Sequence, residues 1–119
     1  MNEIELYKEL QKLEQQEEDD RRQWERFQKE EEERDAENQK ELYEVEQMRE
    51  ACTENDRDII SLLDEKQELL LGMRKKRAEF EAEIKINYYK RKQEIESKKR
   101  AVEDNLRELK TRKEEGYGQ

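Results

Sequence analysis

The chain has 119 residues, of which 51% are Asp, Glu, Lys or Arg and only 30% hydrophobic, with no proline, no histidine, three glycines and a formal net charge of −9. So little apolar matter can wrap neither a globular core nor a buried catalytic cleft, and stability has to come from a narrow seam between helices. Contact with another protein is therefore the expected function.

From the start of the chain, apolar residues recur at alternating steps of three and four, the spacing that keeps one stripe of a supercoiled helix on its partner. That grid falls on Leu6, Leu10, Leu13, Glu17, Asp20, Trp24, Phe27, Glu31, Arg34, Asn38, Glu41, Val45, Met48 and Cys52. It predicts a first helix over about residues 3–52. Thr53, Glu54, Asn55 and Asp56 are poor helix formers between two apolar clusters, so the spacing places a turn there, with Thr53 or Asn55 capping the next helix. The second helix is expected over about 57–114, before a flexible tail at 115–119. Its grid runs through Ile59, Leu62, Lys66, Leu69, Met73, Lys76 and Phe80, then by two steps of four to Ile84 and Tyr88, and on through Ile95, Val102, Leu106 and Leu109. Extra steps of four are stutters that relax a supercoil.

A helix spanning the whole chain would leave its stripe in water, so the chain should fold back or dimerise. The expected fold class is all-α, a single domain forming a long two-helix antiparallel coiled-coil hairpin. In that register Met48 lies near Ile60 and Leu62, Val45 near Leu63, Phe27 near Phe80 and Ala82, Trp24 near Ile84, Leu13 near Ile95 and Leu6 near Val102. Glu31 falls near Arg77, and Glu17 near Arg91 and Lys92. A turn at Gly72 instead would strand the first residues, Trp24 included, without a partner. Charge agrees with the fold-back: residues 1–50 hold 9 basic and 19 acidic side chains, whereas residues 74–113 hold 15 and 8. The polar grid positions Glu31, Arg34, Asn38 and Glu41 predict partial disorder over 30–41 in the free chain.

No chemistry-bearing constellation stands out. Without histidine, and with Cys52 as the lone cysteine, there is neither a metal-ligand set nor an activated nucleophile, and no glycine-rich phosphate loop. No cofactor, metal or enzymatic activity is expected. The acidic first half would repel phosphate, which argues against nucleic acid. No apolar run approaches a membrane span, and the N-terminus shows no secretory signal, so a cytoplasmic location is expected, with export alongside a client left open. The candidate partner-binding residues are Ile60, Leu63, Leu70 and Leu71, from an apolar cluster too dense for one face, together with Tyr88 and Tyr89. Neighbouring helical residues point about 100° apart, so those two tyrosines cannot both enter one seam. A second copy of the chain is the alternative occupant of that surplus.

The segment FEAEIKINYYKRKQEIESKKRAVEDNLRELKTRKEEG, residues 80–116, resembles the C-terminal arm of small helical proteins encoded beside LXG toxins of bacterial type VII secretion. That resemblance implies an adaptor or targeting chaperone that binds the helical N-terminal domain of such a toxin for export. The expected fold is also similar to the FliJ and YscO type of coiled-coil stalk of flagellar and type III export. A purely structural homodimeric coiled coil is the reading from a different class.

Overall fold

The computed structural model describes residues 2–117. Two helices make up the fold, α1 (Glu3–Ala51, 49 residues) and α2 (Arg57–Tyr117, 61 residues), joined by a short turn into an antiparallel hairpin. The described residues divide into two units, 2–25 with 86–117 and 26–85.

Helix α1 starts with a reciprocal cap. The Glu5 amide donates to Asn2 Oδ1 at 2.8 Å, the Asn2 amide donates to Glu5 Oε2 at 3.4 Å, and the Leu6 amide bonds the Asn2 carbonyl at 3.1 Å. Two of the amides that a helix start leaves without partners are satisfied in this way. Glu3 and Glu5 in the first turn also suit the positive end of the helix dipole.

At the other end, α2 begins from Asp56 and not from Thr53 or Asn55 as expected. The Asp56 carbonyl accepts the first helical bond from the Ile60 amide at 2.9 Å, while its amide bonds the Thr53 carbonyl at 3.0 Å to close a tight turn. The Asp56 carboxylate points backward, accepting from the Thr53 amide at 2.9 Å and the Thr53 hydroxyl at 3.2 Å. One carboxylate oxygen thereby holds two donors, a geometry that neither Thr53 nor Asn55 can supply from its own position. Helix α2 also continues past 114, through Gly116 to Tyr117, so residues 115–117 are helix and not tail. Glycine weakens a helix without clashing with it, and no proline follows to stop it. The remaining residues of the expected tail, 118 and 119, lie outside the described residues.

In the first unit, Leu6 and Leu13 of α1 pack with Ile95, Val102 and Leu106 of α2, and Leu10 and Leu109 close over them. Trp24 stacks on Tyr88, with ring centroids 5.0 Å apart and planes 7° from parallel. Ion pairs join Asp20 to Arg91, Glu17 to Lys99 at 3.6 Å, and Glu3 to Lys113. Trp24 and Glu17 thus reach one to two turns further along α2 than the expected Ile84 and Arg91. Side chains tilt toward the N-terminus of their own helix. In an antiparallel pair, a long α1 side chain therefore leans toward higher α2 numbers, and the α2 side chain it meets leans back toward it.

The second unit has a thinner core of Val45, Leu63 and Leu70, with Leu42 and Cys52 packed against it. Phe27 meets Phe80 edge to face at 6.1 Å, as the expected register has it. Residues 30–41 are helical throughout, contrary to the expected disorder. Their polar seam residues Glu31 and Asn38 are buried, Glu31 by pairing with Arg34 at 2.9 Å and Asn38 by donating to the Leu70 carbonyl at 3.3 Å. Those bonds, with Asp35 paired to Arg74, replace part of the water that the segment gives up.

The expected grid over residues 59–80 of α2 requires correction. Ile59, Leu62, Leu69, Met73 and Phe80, placed in the seam by spacing, are all exposed. The α2 residues turned inward in this unit are Ile60, Leu63, Gln67, Leu70, Arg77, Glu81 and Ile84, one residue further along. This path keeps alternating steps of three and four, through the slot held by Arg74, up to Ile84. The stutter expected at Phe80 and Ile84 is therefore not needed. The sequence holds two parallel stripes side by side, and packing against α1 selects the one that buries Leu63 and Leu70.

Candidate protein-interaction surface

The stripe left outside is itself a regular repeat. Ile59, Leu62, Lys66, Leu69, Met73, Lys76 and Phe80 follow steps of three and four for three heptads, the pattern of a coiled-coil seam, touched by α1 at Phe80 through its edge contact with Phe27. Leu62 is 65% and Leu69 68% exposed, whereas Leu63 is 8% and Leu70 5% exposed one residue away. Around the middle of the stripe lies a shallow open depression lined by Glu65, Glu68, Leu69, Gly72, Met73 and Lys76. Its floor is low because Gly72 has no side chain, and nothing stands within 4 Å of where a Cβ would project.

The expected partner-binding residues separate into three groups. Leu63 and Leu70 are core residues of the hairpin, so they are withdrawn as contact residues, and Ile60 is half-buried beside them. Leu71 and Tyr89 are exposed. Tyr88 is half-buried under Trp24, with Tyr89 meeting it edge to face at 5.5 Å, so one of the two tyrosines enters the seam and the other faces water. Leu62, Leu69, Met73 and Phe80 are the surface residues that spacing alone assigned to the core. A signal for them exists in the doublets Ile59-Ile60, Leu62-Leu63 and Leu69-Leu70, which put apolar residues on two neighbouring faces at once.

Electrostatics on the inner side are tighter. Burial strips water from Glu31, whose Oε2 finds no donor, and Arg77 Nε is likewise unpartnered. Hydrogen bonding to Glu31 raises the Glu81 carboxyl above the usual carboxylate range, assisted by burial and by the charges of Glu31 and Asp35, with Arg77 opposing. At the start of α1, the Lys113 ammonium bound to Glu3 holds that carboxyl below its usual range. Among the described residues no group of His, Cys, Asp or Glu is placed to hold a metal ion, and no helix is long and apolar enough to cross a membrane.

The chain matches no protein-family model, no curated protein and no solved structure.

Proposed function

We propose that the protein is a non-enzymatic adaptor that captures a helix of another protein on the outer stripe of α2. The observation that supports this is the second three-four repeat, Ile59 to Phe80, lying exposed on a helix whose other stripe is already used. A client helix with a matching apolar stripe would become the third helix of a bundle, burying Leu62, Leu69, Met73 and Phe80 while the charged faces of the hairpin stay in water. The client class suggested by the likeness of residues 80–116 is the helical N-terminal domain of a type VII secreted LXG toxin, with the adaptor presenting it for export.

Hydrogen exchange with and without such a toxin domain tests this reading. The expected result is new protection across residues 59–80, lost in Leu69→Glu. Protection confined to the first unit, or binding unaffected by Leu69→Glu, would remove the stripe as the capture site. No protection anywhere would remove the toxin as client.

A further inference from the structure

The depression on α2 is polar in a directional sense. Glu65 and Glu68 lie at its N-terminal end, Lys76 at its C-terminal end, and Leu69, Gly72 and Met73 between them. None of these three charged side chains forms an ion pair among the described residues, although Asp64 and Arg74 close by are paired across to α1 at 3.1 and 3.5 Å. A helix that fits this surface needs a cation opposite Glu65 and Glu68, an anion opposite Lys76, and an apolar middle.

Helix α2 turned end for end has that pattern. An antiparallel copy centred on the depression brings Lys76 of each chain to Glu65 and Glu68 of the other, sets Leu69 against Met73 twice, and sets Leu62 against Phe80 at both ends. A parallel copy would put like charge on like and is disfavoured. The space over Gly72 lets the two helices approach where they cross. The same pairing sets Lys66 of each chain opposite Lys76 of the other, so each Lys76 meets two carboxylates and one ammonium, and the long stem of Lys66 can carry its charge out of the seam to water.

We propose that a second copy of this chain occupies the stripe in the antiparallel sense, so that the free protein is a two-fold dimer and a client helix has to displace the partner copy. This rests on reading the stripe as a helix-binding surface, and it adds the resting occupant and its orientation. The contact is isologous, since the same residues serve on both sides of the axis.

Light scattering across a dilution series, with circular dichroism on the same samples, tests it. The expected mass is twice the chain mass of 14.8 kDa. Leu69→Glu should weaken the dimer about thirtyfold or more and leave helicity unchanged, because this side chain is exposed in the single chain. Lys76→Glu should weaken it about tenfold, since it places three carboxylates together. The triple variant Glu65→Lys, Glu68→Lys, Lys76→Glu reverses every charge around the depression and should restore dimerisation. A single-chain mass up to roughly 100 μM would overturn the proposal, as would a dimer indifferent to Leu69→Glu or a triple variant no tighter than Lys76→Glu. The triple variant also separates this proposal from client capture. It preserves self-complementarity while inverting the charge pattern shown to a client, so a restored dimer that no longer binds the toxin domain supports the proposal. A single-chain mass with intact protection of 59–80 by the toxin domain would refute self-pairing and leave the adaptor reading standing.

Discussion

At the scale of the residue, the polar members of the seam decide most. Glu31 is 5% exposed, yet it carries a carboxylate whose Oε2 finds no donor, and Glu81 answers it with a raised pKa. Because the folded-state pKa of Glu81 lies above its unfolded value, its contribution favours the fold below the ordinary carboxylate range and is lost as pH rises through the raised value. As pH rises through that raised value, Glu81 gains a charge beside Glu31 and Asp35. Glu81→Gln should therefore raise the melting temperature increasingly as pH climbs above the ordinary carboxylate range and give no advantage below about pH 4, where the native carboxyl is already protonated. Thermal melts of both proteins across pH 3.5 to 8 check this, and a gain independent of pH would show that the effect is not electrostatic. Asn38 differs, since its amide donates to the Leu70 carbonyl and only its Oδ1 is left without a partner. One bond to the backbone of the other helix ties a particular pairing of α1 with α2, and a slip by one residue would break it.

At the scale of the element, α2 does two jobs with neighbouring residues. Leu70 belongs to the core and Leu69 to the outer stripe, so the same substitution should act differently at each position. Leu70→Glu buries an unpaired charge in a core with few members and should cost about 3 kcal/mol or more of stability. Leu69→Glu should change the stability of the single hairpin by no more than about 0.5 kcal/mol. Urea denaturation at low protein concentration reads both, and equal losses would mean that α2 packs on its other stripe. The α1 grid was legible over most of Leu6 to Cys52, where apolar residues mostly stand singly, but not at Met48, which was expected near Ile60 and Leu62 and is 60% exposed, nor at Leu42, which lies off the grid and packs on the core. The α2 grid was legible from Ile84 to Leu109 but not over residues 59–80, where doublets such as Leu62-Leu63 offer two seams of equal quality to a rule based on spacing.

At the scale of the whole molecule, the fold-back brings an acidic first half to a basic second half. In the first unit that complementarity appears as three cross-helix pairs, Asp20 with Arg91, Glu17 with Lys99 and Glu3 with Lys113. Exposed pairs contribute little singly, but the long-range attraction is screened as the Debye length falls from about 10 Å at 0.1 M salt to about 3 Å at 1 M. Raising sodium chloride over that range should lower the urea midpoint of the native protein. It should lower it less for Arg91→Gln, where one of the three pairs is gone. A midpoint that rises with salt would mean that repulsion within the acid-rich α1 outweighs the attraction between helices.

The sequence by itself determined that this protein is an antiparallel helical hairpin with its turn at residues 53–56. Absence of proline permits long helix, scarcity of apolar residues forbids a globular core, and opposite charge in the two halves favours folding back. It also determined that α2 carries more apolar surface than one seam can use. Only the tertiary structure decided which of the two α2 stripes is buried. The choice depends on the pairing of α2 with Val45, Asn38 and Glu31 of α1 across the hairpin, and those contacts between residues distant in sequence have no local signature. The candidate interaction surface was readable as a surplus, while its residues became definite once Leu63 and Leu70 were taken inside and Leu62 and Leu69 were left in water.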